Sequence, residues 1–166
     1  MERPSPCMDL LEYSVLHDPL PENTVRDIIK KLVQALIQFD KKWGFHRDIK
    51  TTNILIQETQ EGPRYIGTVN YCPPEMFLSH ECRAGPTSVW QVRAIVYELL
   101  NGDGNDFDVF EWLNGDLSLK TSEASEEAID FIHTCLSVEP ANRIRLEEIE
   151  GHPWFNTSIM APSSSS

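Results

Sequence analysis

The chain has 166 residues and a mass of 19.0 kDa, which suits one globular domain and leaves no room for two cores of ordinary size. Hydrophobic residues make up 40% of it, enough for a packed core and too many for a chain disordered along most of its length. The formal charge of −12 opposes nonspecific attraction to phosphate backbones and anionic bilayers, so no nucleic acid and no membrane is expected as a partner.

No apolar run approaches the roughly 18 residues of a membrane span, and Met1-Glu2-Arg3-Pro4 does not open a signal segment. A soluble protein of the cytoplasm, with access to the nucleus, is the expectation. Cys7, Cys72, Cys82 and Cys135 show no Cys-x-x-Cys spacing, so they read as free thiols rather than as a zinc site or a disulfide scaffold.

In chain order, the first clear helix follows Pro19-Leu20-Pro21. Val25, Ile28, Ile29, Leu32, Val33 and Leu36 recur at the i, i+3, i+4, i+7 spacing of one buried face, with Arg26, Asp27, Lys30 and Lys31 outside it. Gly44 is its expected stop. Asn53-Ile54-Leu55-Ile56 reads as a short strand after a polar loop, and Gly62-Pro63 as a break. From about Thr87 to Leu100, apolar residues cover nearly all sides of a second helix, which belongs at the centre of a core. Phe107 to Leu113 reads as a short helix after the loop Asn101-Gly102-Asp103-Gly104-Asn105. Ser125 to Leu136 reads as another, with Glu126 and Glu127 in its first turn. Arg145 to Ile149 is the last expected helix, and the Ser-rich tail, residues 157–166, is expected to be disordered.

His46-Arg47-Asp48-Ile49-Lys50-Thr51-Thr52-Asn53 carries the chemistry. Phosphoryl transfer to a hydroxyl needs a carboxylate to accept or orient the hydroxyl proton, a cation near the phosphoryl oxygens and an oxygen ligand for Mg²⁺. Asp48, Lys50 and Asn53 fit those three roles in turn. The spacing H-R-D-x-K-x-x-N resembles the catalytic loop of the protein kinases, and Lys two residues after the Asp is similar to the Ser/Thr branch. Gly67-Thr68 through Pro74-Glu75 resembles the end of the activation segment, where Glu75 stands for the Glu of A-P-E. Pro140-Ala141-Asn142-Arg143 resembles the segment whose Arg pairs with that Glu, and His152-Pro153-Trp154-Phe155 resembles the end of the domain. Glu2-Arg3-Pro4 with Asp9-Leu10 is similar to the hinge of the Pim group.

The resemblance implies a mainly α fold: a kinase-like C-terminal lobe over residues 1–156, with a short β-hairpin region near the catalytic loop. It also implies phosphoryl transfer from ATP to protein Ser or Thr in the complete family. Asp48 and Lys50 are then catalytic, Asn53 a metal ligand, and Glu2, Asp9 and Leu55 nucleotide contacts, with ATP and Mg²⁺ as cofactors and proteins as substrates. The sequence opens at the hinge, so the phosphate-covering glycine loop and the strand Lys of the family are not within it. From Asn53 to Glu75 there are 22 residues and no Asp, whereas a strand, the D-F-G metal motif and an activation loop need roughly 35. Catalysis by this chain alone is therefore not expected, and a non-catalytic interaction module is the alternative. Two physical expectations accompany this. Arg93 stands in the central helix, where a guanidinium costs several kcal/mol unless it finds a carboxylate, a hydrogen bond or water, so stability should be marginal. Leu55 and the apolar part of the hinge should form an exposed apolar patch for a partner to cover.

Overall fold

A computed structural model describes residues 7–43, 49–59, 62–67, 73–75, 83–102, Phe107, Val109, Leu113 and 124–156. The described elements run, in chain order, β1 (Met8–Asp9), α1 (Leu10–Leu16), α2 (Glu22–Trp43), a 3₁₀ turn (Thr51–Asn53), β2 (Ile54–Thr59), β3 (Gly62–Gly67), α3 (Ala84–Asn101), α4 (Glu126–Thr134), 3₁₀ turns at Pro140–Asn142 and Leu146–Gly151, and α5 (Pro153–Asn156). Helix predominates, and the strands form one antiparallel sheet in the order β1-β2-β3.

The expected apolar face of α2 is the buried one: Val25, Ile28, Ile29, Leu32, Val33 and Leu36 all join the core. Helix α2 packs on α3, and α3 is buried continuously from Thr87 to Tyr97, as its all-round apolar pattern requires. Pro86 is tolerated in its first turn because the N–H it lacks would have no intrahelical acceptor there. The helix ends at Gly102, whose φ of 77° is a left-handed value that glycine adopts without a Cβ penalty. Helix α4 begins where Ser125 caps it, its hydroxyl accepting from the Ala128 N–H at 3.1 Å.

One carboxylate ties the N-terminus of α2 to the C-terminal elements. Glu22 accepts from the Ser125 N–H and hydroxyl at 2.8 Å each, from the Trp154 indole N–H at 2.9 Å and from Arg26 at 2.9 Å. Trp154 in turn stacks on Phe131, with ring centroids 4.9 Å apart. Burial alone would raise the Glu22 carboxyl, but the bonds from Ser125, Trp154 and Arg26 outweigh it and hold the group below its ordinary value.

Several expectations need correction. Gly62-Pro63 opens β3 rather than breaking the chain, because β3 borders only β2 and an edge strand tolerates a residue without an N–H. The last expected helix is a 3₁₀ turn, Leu146–Gly151. Leu55 is only partly exposed, since β1 pairs beside it. Three of the exposed apolar side chains lie on α1, where Leu11, Val15 and Leu16 are 41%, 45% and 64% exposed, and Leu113, Ile129 and Val138 are exposed elsewhere. Of the expected helix from Phe107 to Leu113, only Phe107, Val109 and Leu113 are among the described residues, and the tail is outside them.

Candidate functional site

The catalytic-loop motif enters the described structure at Ile49, which is 1% exposed and anchors the loop in the core. Lys50 follows in extended conformation and caps the 3₁₀ turn Thr51–Asn53, its carbonyl accepting the Asn53 N–H at 2.9 Å. Buried Thr51 fixes the turn from below, and Asn53 leads directly into β2. Asp48, which completes the expected trio, lies outside the described residues, as does Glu2.

The sheet brings the remaining two candidates together. Asp9 on β1 pairs with Leu55 on β2, so both sit at one edge of the hairpin, and α1 and β1 pack against the 3₁₀ turn that carries Asn53. Asp9 also acts locally, since its Oδ1 accepts the Glu12 N–H at 2.9 Å and caps α1. A capped carboxylate is held in place with a second oxygen to offer.

The register of β3 shows what the loop lacks. Strand β3 runs antiparallel to β2 from Thr59↔Gly62 to Ile54↔Gly67, so its exit returns beside Asn53. A second metal ligand in the kinase pattern would be delivered there. This chain delivers Gly67 there, and no Asp occurs between Asn53 and Glu75 in the sequence. Among the described residues no group of three or more His, Cys, Asp or Glu side chains could hold a metal ion. A single Asn amide is a poor fit to Mg²⁺, which prefers one or two carboxylates with phosphate oxygens.

Farther along, the expected pair between Glu75 and Arg143 is formed. Arg143 Nη1 and Nη2 donate to the two Glu75 oxygens at 2.8 and 2.6 Å, and both residues are buried. Arg143 also donates to the carbonyls of Ser137 at 2.9 Å and Pro86 at 3.0 Å, and its guanidinium lies 4.9 Å from the centre of the Trp90 ring. This bidentate, fully bonded geometry is the condition under which a buried ion pair offsets its desolvation. It ties residues 73–75, the far end of the shortened segment, to the start of α3.

Sequence reasoning did not single out the Glu22 junction. Its partners lie 103 and 132 residues away, and no local pattern announces contacts of that range. The Asp9 cap was legible in retrospect, because Asp9 and Glu12 stand at capping-box spacing.

No family model matches the chain. Comparison with curated proteins finds Ser/Thr protein kinases. Over 178 residues the chain is 30% identical to the Serine/threonine-protein kinase pim-2 of Danio rerio, covering 95% of this chain and 56% of that protein. It is 29% identical to the Serine/threonine-protein kinase prk-2 of Caenorhabditis elegans, covering 97% and 41%. It is 27% identical to the Mitosis inducer protein kinase cdr1 of Schizosaccharomyces pombe, covering 90% and 29%. The chain thus spans about half or less of the length of these relatives. A helical body with a small antiparallel sheet fits the C-terminal lobe of that fold. The relatives that this chain resembles in sequence are Ser/Thr protein kinases.

Proposed function

We propose that residues 1–156 are the substrate-side lobe of a Pim-type Ser/Thr protein kinase, in which Asp48 orients the acceptor hydroxyl, Lys50 faces the transferring phosphoryl group and Asn53 is the remaining metal ligand. In this reading the chain as given does not turn over ATP, because the carboxylate that should accompany Asn53 has been excised with the activation loop. The carrying observation is the hairpin register: β3 comes back to Ile54, beside Asn53, and hands on a glycine. Support for the Pim group rests on Glu2-Arg3-Pro4 and Asp9-Leu10 and on the relative named pim-2. The reading carries with it ATP and Mg²⁺ as family cofactors, proteins as partners, and a cytosolic protein with access to the nucleus.

Magnitude separates a weakened enzyme from a silent one. Each preorganised electrostatic group contributes roughly a factor of 10²–10³ to such a reaction, so loss of the metal carboxylate alone removes most turnover. The purified chain should transfer no more radiolabel from Mg·ATP to a serine peptide than its Asp48→Asn variant does, and millimolar Mg·ATP should leave its melting midpoint unmoved. Label transfer by the wild-type chain that Asp48→Asn abolishes would overturn the proposal.

A further inference from the structure

Arg93 stands midway along α3 and is 0% exposed. A guanidinium carries five N–H donors in one plane, and here Nε, Nη1 and Nη2 all lack a hydrogen-bond partner. Its surroundings are aromatic. The Phe107 ring centre lies 4.1 Å from Cζ, that of Tyr97 5.5 Å and that of Trp90 5.9 Å. Ring faces offset part of the charge of a cation, but they do not take the place of hydrogen-bond acceptors, and the guanidinium nitrogens remain without one.

No carboxylate among the described residues answers it. Glu75 is committed to Arg143. The groups with the largest electrostatic interaction with Arg93 are Cys135 and Tyr97, and Cys135 is itself fully buried. Burial pushes its thiol up to about 12, so it is neutral at physiological pH and offers a weak S–H donor in place of a counter-charge. Donors therefore converge where no described residue accepts from them, and Phe107 beside them is only partly buried.

The geometry points to a buried binding site for a small monovalent inorganic anion of the chloride class, held by the in-plane N–H edge of Arg93 within the ring cage of Trp90, Tyr97 and Phe107. The anion is small because three rings crowd the guanidinium within 6 Å, and monovalent because one unpaired cation is to be neutralised. The site is separate from the phosphoryl-transfer loop and does not depend on the function proposed above.

The test is a thermal melt of the full chain at fixed ionic strength, with chloride replaced stepwise by gluconate, which is too large for the cage. Above the dissociation constant the midpoint should rise by about 3 to 5 °C for each tenfold increase in chloride. Arg93→Met should abolish that slope and melt higher than the wild type in gluconate. A chloride NMR linewidth broadened by the wild type and restored by Arg93→Lys, which keeps the charge but loses the planar fork, gives an independent reading should the methionine variant fail to fold. A wild-type midpoint indifferent to chloride, a slope that persists in Arg93→Met, or broadening unchanged in Arg93→Lys would each overturn the site.

Discussion

Two buried guanidinia approach the same ring, Trp90, and meet opposite fates. Arg143, 4.9 Å from the ring centre, leaves a 3₁₀ turn among loop carbonyls, and Glu75, Ser137 and Pro86 together accept its protons. Arg93, 5.9 Å from that ring, rises from the middle of a helix whose carbonyls are already spent on the ladder, and none of its guanidinium nitrogens finds a hydrogen-bond partner. A buried charge is tolerable where irregular backbone has free carbonyls to lend, and costly inside regular helix, where only another side chain or a ligand can answer it.

The largest expected effect tests the satisfied member. Arg143→Ala leaves the Glu75 carboxylate buried and unpaired, and should lower stability by about 3 to 5 kcal/mol in urea denaturation. A loss under about 1 kcal/mol would remove the contrast. The opposite sign is expected at the other position. Replacing Arg93 by Met in chloride-free buffer should raise stability by about 1 to 4 kcal/mol, since an apolar side chain of similar volume fits the cage without the desolvation cost.

Alkaline titration sharpens the same point. Burial lowers the Arg93 pKa to about 9, against smaller opposing contributions from Cys135 and Tyr97. A cation whose folded pKa lies below its unfolded value costs the fold most while both states are protonated. The unfolded chain binds more protons from about pH 9 upward, so this contribution to stability rises with pH there, and Arg93→Met should show no such rise.

A smaller loss, about 2 kcal/mol, is expected for Glu22→Ala, which strands the Ser125 N–H and the Trp154 indole N–H inside the junction of α2, α4 and α5. The Glu22 carboxyl sits below its ordinary value in the fold, so its contribution is complete above the unfolded pKa of about 4.5. It is lost as pH falls through the folded one, and acid denaturation of the variant should begin from a lower plateau with a shallower slope. Smallest of all, Gly102→Ala places a Cβ 2.5 Å from Asp18 Oδ1 at a φ of +77°, and should cost about 1 to 2 kcal/mol. A neutral result would mean that the α1–α2 connection yields freely there.

How much of this was legible beforehand varies by element. The six-residue apolar face of α2 and the all-round burial of α3 followed from periodicity, because a 3.6-residue repeat sustained over several turns has few alternative explanations. Strand β1 and helix α1 did not: two residues of strand carry no alternation, and a seven-residue helix with Leu11, Val15 and Leu16 outside blurs the amphipathic signal. For the site, the order of Lys50 and Asn53 was readable as a motif, but the meeting of Asp9 with Leu55 depends on a strand pairing between residues 46 positions apart.

Residue type and spacing are local properties, and they were enough to suggest the resemblance of residues 46–53 to a kinase catalytic loop, to show that no Asp lies between Asn53 and Glu75, and to place an Arg in the central helix. Chain packing was needed to establish that β3 exits beside Asn53, that Glu22 joins three distant elements, and that Arg93 is enclosed by rings rather than rescued by a carboxylate. Those outcomes turn on which groups far apart in the chain become neighbours, and hydrogen bonding and desolvation act on neighbours alone.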